Sequence, residues 1–310
     1  MMLSRLAIRS ALMFCGLMVV PAAALAQLAP PPSGSPNDQN PSSVLFYNKY
    51  TSNPSNPQAA DTQINITNTS PDTEAQVHLF FVDGSTCSVA DAFISLTANQ
   101  TATFLASDFD PGVQGYLVAV AAPGGTPAQF NYLIGDAYIR ENDGRLARLA
   151  AVGLAKVSPG PVTPNGDGTA SLIFNGAEYD RLASVVAVAS FNSQVTDSTN
   201  LAIYSPTNNL VTGNPVTTNI FTLVYDDTER AFSTTTRVVC YNQIPLTSLR
   251  VLSGGLNSVV PAGRTGWIKL NGQGRPLLGA VLNRGPIFTG GINLHNIALL
   301  PTYTITVPSF

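Results

Sequence analysis

The chain has 310 residues, of which 45% are hydrophobic and 11% are charged, and its formal net charge is −3. This composition predicts a well-buried globular protein with a weakly charged surface. The sequence contains no cluster of Lys or Arg. Because nucleic-acid binding depends on a concentrated positive surface, we expect no nucleic-acid partner.

The N-terminus has the pattern of a secretory signal peptide over residues 1–26. Arg5 and Arg9 precede the apolar run "ALMFCGLMVV", and the small-residue site Ala24-Leu25-Ala26 follows it. This run is shorter than the roughly 20 apolar residues that span a bilayer, and no later stretch is long enough. We therefore expect an exported chain, extracellular, at the cell surface or in the periplasm, with no membrane span after cleavage.

The next segment, residues 27–43, is rich in Pro, Ser and Asn and predicts a disordered leader, because it buries too little apolar surface to offset the cost of ordering. From Val44 onward, short segments of alternating polarity predict β-strands. In three of them the inward residues are expected to be Ile64 and Ile66; Val77, Leu79 and Phe81; and Phe130, Tyr132 and Ile134.

One stretch, "GRLARLAAVGLAKV", has near-helical spacing of Leu146, Leu149 and Val152 and is the candidate helix. Gly153 and the following "SPG" would keep such a helix short.

The Pro- and Gly-rich segment 158–168 predicts a linker, after which the strand pattern resumes. We therefore expect an all-β protein with two tandem antiparallel β-sandwich domains of the Ig-like type, over residues 44–157 and 169–310. A weak internal repeat accompanies this division. Cys87 precedes Gly115-Tyr116 by 28 residues (115 − 87), and Cys240 precedes Gly266-Trp267 by 26 (266 − 240).

Within the linker, "TPNGDG" poses a choice between a turn and a calcium-binding loop. Asn165 and Asp167 match part of the EF-hand pattern, but its first and twelfth positions would be Thr163 and Phe174, which offer no carboxylate. The turn interpretation needs only the conformational preferences of Pro, Asn and Gly, and we favour it. The same six residues resemble the start of the Ig-like sorting domains of surface proteins from gliding bacteria.

The mature chain would contain two cysteines, Cys87 and Cys240, in an oxidising compartment. They form either a disulfide between the two predicted domains or two buried thiols. Two cysteines this far apart, without nearby histidines, do not predict a zinc site.

Candidate catalytic groups are sparse. His78 falls on a predicted strand face and His295 in "GGINLHNIALL", and neither belongs to a recognised nucleophile, metal or phosphate motif. The paired carboxylates that glycoside hydrolysis would need could come only from two turn segments. We predict a noncatalytic protein without a cofactor; the turn carboxylates are Asp108 and Asp110, and Asp226, Asp227 and Glu229.

The segments "TQINITNTSPDTEAQVHLFFVDGSTCSVADAFISLTANQTATFLASDFDPGVQGYLVAVA", "YDDTERAFS", "VPAGRTGWIKL" and "GGINLHNIALL" carry a wider resemblance. They resemble a group of secreted bacterial proteins with tandem β-sandwich character and no assigned activity. The resemblance implies the fold and export and no catalytic or binding residue.

The leading hypothesis is a secreted, noncatalytic β-sandwich protein with a structural, adhesive or binding role at the cell surface or in the extracellular matrix. Its partners would be a protein or glycan at the cell surface, with self-association through sheet edges as a further route. The alternatives are a carbohydrate-binding module or exported glycan-active enzyme, and a periplasmic envelope accessory protein. Trp267, the single tryptophan, should be exposed beside other aromatic residues if the protein binds sugars. Candidate contact loops are 50–61, 205–219 and 283–293.

Overall fold

A computed structural model describes residues 36 and 38 and the ranges 40–53, 60–192, 199–249, 256–284 and 289–310. The predicted signal peptide, about two thirds of the predicted leader, and parts of the loops 50–61 and 283–293 lie outside these residues.

The described residues are built from β-strands joined by turns and short 3₁₀ segments, without an α-helix among them, and every strand ladder is antiparallel. The all-β antiparallel sandwich architecture predicted from the alternating sequence is thus confirmed. The strands are β1 (Val44–Thr51), β2 (Asp61–Asn68), β3 (Ala75–Asp83), β4 (Val89–Leu96), β5 (Thr101–Leu105), β6 (Gln114–Ala121), β7 (Leu133–Arg140), β8 (Leu146–Ala150), β9 (Val152–Leu154), β10 (Thr169–Ile173), β11 (Ala183–Asn192), β12 (Thr199–Tyr204), β13 (Thr217–Asp226), β14 (Ala231–Val239), β15 (Tyr241–Pro245), β16 (Thr265–Asn271), β17 (Leu278–Arg284), β18 (Thr289–Asn293), β19 (His295–Leu299) and β20 (Thr304–Pro308).

The strand order repeats along the chain. The first half forms sheets β4-β3-β6-β1-β9 and β5-β2-β7-β8, and the second half forms β14-β13-β16-β11-β19 and β15-β12-β17-β18. Each strand of the first half therefore has a counterpart ten strands later. A fifth sheet, β10-β20, pairs the segment after the linker with the C-terminal strand.

This repeat explains only part of the sequence repeat. Gly115 on β6 and Gly266 on β16 lie at equivalent places. Gly115 pairs with β1 just after a bulge in that strand, and Gly266 pairs in the same way with β11. The cysteines are not equivalent, since Cys87 lies between β3 and β4 whereas Cys240 lies between β14 and β15. Their similar distances from the glycines do not reflect a structural repeat.

Strands β3, β6, β1 and β9 of the sheet β4-β3-β6-β1-β9 are buried on both faces, which accounts for their near-continuous apolar sequences, whereas the edge strand β4 is partly exposed. One face packs on β5-β2-β7-β8 through residues such as Leu79 and Phe81, as the alternation in β3 predicts. The other face, which includes Phe80 and Tyr116, packs on β10, β20 and on β12 and β17 of the second half. A third core lies between the two sheets of the second half. The cores thus link the halves, and Ser33–Phe310 form one compact unit; the division into domains at 158–168 stays a prediction.

Buried polar contacts reinforce this junction. Asn48 Nδ2 donates to the Gly279 carbonyl at 3.0 Å and to Asn293 Oδ1 at 2.8 Å, and Asn48 Oδ1 accepts from the Tyr204 hydroxyl at 2.8 Å. Asn293 Nδ2 in turn donates to the Ala150 carbonyl at 2.9 Å. These side chains join β1 and β8 of the first half to β12, β17 and β18 of the second.

Cys87 and Cys240 form a disulfide with their Cα atoms 5.4 Å apart. Both residues are buried, and both have positive φ angles, 62° and 57°. The disulfide covalently closes the junction between the halves.

The predicted helix at residues 144–157 is wrong, because this stretch forms β8 and β9. Successive side chains of β8 alternate between the two faces of its sheet: Ala147 and Leu149 are buried, while Leu146 and Arg148 are exposed. Pairing with β7 on one side selects the extended conformation.

Of the inward residues predicted around β7, Phe130 is buried as expected, but Tyr132 and Ile134 are exposed, and Leu133, Ala137 and Ile139 are buried instead. The strand begins at Leu133 after a turn at residues 131–132, and this turn shifts the alternation by one residue relative to Phe130.

Two predicted non-core segments contain packed residues. Ser42 and Ser43, at the end of the leader, are buried, and Ser42 pairs with Leu133. In the linker, the Val162 amide donates to the Pro127 carbonyl at 2.7 Å.

Candidate functional site

The outer face of the sheet β5-β2-β7-β8, here called the Tyr138 face, combines polar and aromatic side chains. Alternation along each strand creates it: Ile64 and Ile66 of β2 point into the core, so the residues between them point out. The outward residues are Gln63, Asn65 and Thr67 on β2; Thr101, Thr103 and Leu105 on β5; Ile134, Asp136 and Tyr138 on β7; and Leu146, Arg148 and Ala150 on β8.

A ladder of hydrogen bonds crosses this face. The Thr103 hydroxyl donates to Asn65 Oδ1 at 2.8 Å, and Asn65 Nδ2 donates to Asp136 Oδ1 at 2.6 Å. Arg148 then donates to Asp136 Oδ2 through Nε at 2.9 Å and through Nη2. These hydrogen bonds with Asp136 raise the pKa of Arg148 above its ordinary value. Thr103, Asn65 and Asp136 thus lie in one register row, and Arg148, which is opposite Tyr138 in the next row, reaches diagonally to Asp136. The ladder therefore connects side chains from four adjacent strands.

Tyr138 lies in the row next to this ladder. Its side chain is 43% exposed, and the Arg148 guanidinium carbon lies 5.1 Å from the ring centroid, within cation–π range. The ladder also borders a groove of about 460 Å³ that lies toward Thr67 and Ile134, away from the Tyr138 ring; it is lined by Asp38, Asn65, Thr67, Ile134, Gly135, Asp136, Arg148 and Ala150.

The backbone beneath the groove is fixed by a close approach at Gly135. The Tyr47 hydroxyl donates to the Asn65 carbonyl at 2.8 Å directly under this glycine. A Cβ at position 135 would overlap that hydroxyl oxygen and would lie 2.7 Å from the Asn65 carbonyl oxygen. Only glycine fits here, so β2 and β7 are held in register under the ladder.

Trp267, the residue expected to mark a sugar site, lies outside the core and is 37% exposed. It stacks on Tyr225 of the neighbouring strand, with ring centroids 4.3 Å apart and an interplanar angle of 4°. Each ring thus covers one face of the other. Two exposed aromatic surfaces therefore exist, and the Tyr138 face is the one that has an aromatic ring on one side of a polar ladder and a groove on the other.

The structure separates the two histidines. His78 is buried and stacks between Phe80 and Phe93, with Nε2 2.7 Å from Asp91 Oδ2. Burial lowers its pKa, and the contact with Asp91 opposes that effect. This is the expected environment of a satisfied strand histidine.

His295 lies on the edge strand β19 and is exposed. It lines a cavity of about 240 Å³ between the halves. Asp38 is the one acidic residue among the described residues of that lining.

The carboxylates considered for glycoside hydrolysis have structural partners. Asp108 Oδ2 accepts from the Leu105 amide at 2.9 Å, and Asp110 Oδ2 accepts from the Tyr50 hydroxyl at 2.5 Å. Asp110 therefore lies at the junction of β1 with the turn that follows β5.

The second carboxylate group lies in the turn between β13 and β14. Burial would raise the pKa of Asp226, but hydrogen bonds from Thr228 and Arg230 outweigh it and hold that pKa well below its usual range. Asp227 pairs with Arg264 at 2.7 Å, and Glu229 has a positive φ of 67°. These contacts stabilise the turn.

The "TPNGDG" segment forms a turn before β10. Asp167 Oδ1 accepts hydrogen bonds from the Thr169 amide at 3.0 Å and from the Thr169 hydroxyl at 2.6 Å. The hydrogen bond from the hydroxyl lowers the pKa of Asp167. Asn165 Nδ2 donates to the same hydroxyl at 2.9 Å. Gly166 and Gly168 have φ angles of 85° and 80°, which suit glycine. In the described part of the chain, no group of three or more His, Cys, Asp or Glu residues is placed to hold a metal ion.

Loop 205–219 packs against the protein. Ser205, Thr207 and Leu210 are buried, and Gly213 lies tightly against the Cys87 backbone. This loop therefore supports the disulfide, and its first residues offer less free surface than their composition indicates, whereas Val211, Thr212, Asn214 and Pro215 are exposed.

Comparisons with protein-family models, with curated proteins and with solved structures find no match to this chain. Among the described residues, no helix has the length and apolar character needed to cross a membrane. The candidate site is therefore identified from the geometry of this chain alone. Sequence reasoning missed Asn65, Asp136, Tyr138 and Arg148, although the outward positions of β2 are readable in "TQINITN".

Proposed function

We propose that this chain is a secreted, noncatalytic β-sandwich protein that binds a target at the cell surface or in the extracellular matrix through the Tyr138 face. The observation that carries the proposal is the ladder Thr103–Asn65–Asp136–Arg148 beside an exposed tyrosine and a groove. Ordered polar groups with an aromatic ring on a rigid sheet are a binding surface whose side chains need little reordering when a partner docks.

The junction between the halves supports a structural or adhesive role. The disulfide, the shared core and the buried Asn48 contacts hold the sheets of the two halves in a fixed position relative to each other. A disulfide is also the mark of an oxidising compartment, which agrees with the signal-like N-terminus.

A noncatalytic role is supported by the partners of the acidic residues. Asp136 of the Tyr138 face is held in its ion pair with Arg148, and Asp110, Asp226 and Asp227 stabilise turns. A general acid needs a raised pKa, whereas hydrogen bonds from Thr228 and Arg230 hold the pKa of Asp226 well below its usual range. Burial raises the pKa of Asp110, but its carboxylate is engaged by the Tyr50 hydroxyl.

The test measures binding of the purified mature chain to the cells that produce it. We expect Tyr138→Ala to weaken surface binding about tenfold or more, the effect of a residue at the centre of a contact. Trp267→Ala is the matched control, since it removes a similarly exposed aromatic residue from another sheet. Fractionation of the cells should find the mature chain at the surface or in the medium.

Three outcomes would contradict the proposal. If the wild-type protein does not bind the cells, it does not have the proposed adhesive role. If Tyr138→Ala binds as well as the wild type, the Tyr138 face is not the binding surface. A chain confined to the periplasm would favour the envelope accessory hypothesis.

A further inference from the structure

We infer that the Tyr138 face binds an uncharged polysaccharide chain, laid across the strands of β5-β2-β7-β8. The inference rests on the proposed binding function and names the chemical class of the target.

The charge of the groove favours an uncharged partner. Its described charged residues are Asp38, Asp136 and Arg148, and the last two form an ion pair. The groove therefore has no positive excess that would attract an acidic glycan, an anionic lipid surface or a nucleic acid. A cationic ligand would have to compete with the guanidinium already bound to Asp136.

The hydrogen-bonding groups of the ladder suit hydroxyl groups. A sugar hydroxyl both donates and accepts, and hydroxyl, amide and carboxylate oxygens have more than one lone pair. Thr67 and Thr101 add a second pair of hydroxyls, 2.7 Å apart, in the neighbouring row. Sugar hydroxyls can therefore extend the existing network without leaving any of its polar groups unpaired.

Tyr138 supplies the apolar part of the site. Its ring stands beside the ladder with 43% of its side-chain surface exposed, so it can cover the C–H face of a sugar ring while its hydroxyl stays in water. A site with one aromatic platform and several convergent polar groups follows the general pattern of small-ligand and saccharide-sized pockets.

The dimensions favour a chain over a single sugar ring. The ladder crosses four strands, and three spacings of about 4.8 Å give a length of about 14 Å. A linked chain contacts the whole ladder, whereas one ring contacts only part of it.

A protein partner fits the face less well. The centres of protein–protein interfaces are rich in apolar residues and contain few charged residues. Here the polar Asn65 and Asp136 lie on the middle strands, and Arg148 pairs with Asp136 from the edge strand β8. Of the exposed aliphatic residues, Ile134 lies on the middle strand β7, whereas Leu105 and Leu146 lie on the edge strands β5 and β8.

Affinity gel electrophoresis of the full mature chain tests this inference. The gels contain dextran, hydroxyethylcellulose, galactomannan, or the protease-treated neutral polysaccharide extracted from the producing cells; alginate and dextran sulfate are the charged comparison. We expect at least one uncharged polymer to retard the wild type and to do so equally in low and high salt. Tyr138→Ala and Asn65→Ala should each weaken retardation at least tenfold, whereas Trp267→Ala should leave it unchanged. Chemical denaturation of each variant verifies folding.

The inference is overturned if no uncharged polymer, including the cell extract, retards the wild type, or if only the charged polymers do so in a salt-dependent way. Retardation lost in Trp267→Ala and retained in Tyr138→Ala would also overturn it. If cells bind the protein through Tyr138, but protease treatment of the cells abolishes binding and neutral polysaccharide does not compete, the proposed function stands and the inference fails. If the wild type is retarded by the gels but does not bind cells, the inference stands and the proposed function fails.

Discussion

Removal of the disulfide between Cys87 and Cys240 should destabilise the protein by several kcal/mol. A disulfide restricts the unfolded chain, and the restriction grows with the length of the closed loop. For the 153-residue separation of these cysteines, the loop-entropy relation predicts about 5 kcal/mol. Residual structure in the unfolded chain reduces this value, so we expect a loss of about 3 to 5 kcal/mol.

The variant for this test is Cys87→Ala/Cys240→Ala. Alanine keeps the Cβ at both positive-φ positions, so the backbone preference is nearly unchanged, whereas glycine would relieve strain and confuse the comparison. Guanidinium denaturation of the wild type and the variant, both without reductant, gives the free energies of unfolding. The m value should also rise in the variant, because its unfolded chain is less compact and exposes more surface. Wild-type protein unfolded in the presence of dithiothreitol is the control that changes no residue.

A loss below about 1 kcal/mol together with an unchanged m value would refute this reasoning, since it would show that the loop is not closed in the unfolded oxidised chain. A second, separate transition in the variant would show that the disulfide, more than the shared core, makes the two halves unfold together.

Two further predictions concern single side chains. Gly135→Ala should destabilise the fold by about 1 to 3 kcal/mol because its Cβ overlaps the Tyr47 hydroxyl; Gly290→Ala, which meets no atom within 4 Å, is the control, and equal denaturation curves for the two variants would contradict the packing argument. The second prediction concerns pH. Burial lowers the pKa of His78, so as the pH falls the imidazole is protonated in the unfolded chain before it is protonated in the folded chain. The stability that the neutral ring provides is therefore present above about pH 6.5 and decreases below it. The free energy of unfolding between about pH 7.5 and 5.5 should fall less steeply in His78→Gln than in the wild type, and parallel curves would show that the ring is protonated equally in both states.

Period-two hydrophobicity predicted most of the strands, because a strand places successive side chains on opposite faces of its sheet. The pattern identified Val77, Leu79 and Phe81 correctly, since Leu79 and Phe81 lie deep in a sheet where each position has a defined side. It was ambiguous wherever one segment fitted two periods. Leu146 to Leu154 also fit a helix, and only pairing with β7 and β1 decided for strands.

The candidate site was beyond the reach of sequence reasoning for a related reason. Asn65, Asp136 and Arg148 are each an ordinary outward polar residue in its own strand, 71 and 12 residues apart along the chain. Their ladder exists because the registers of β2, β7 and β8 bring them side by side, and register depends on the turn before Leu133 and on the close approach at Gly135.

The sequence by itself determined the all-β class and the low content of charged residues, because composition and local alternation act within a few residues. The tertiary structure decided the joining of the two halves through a shared core and a disulfide, and the assembly of the Tyr138 face. These features arise from contacts between residues far apart in the chain, and long-range pairing is set by which strands bury each other's apolar surface and not by any local pattern.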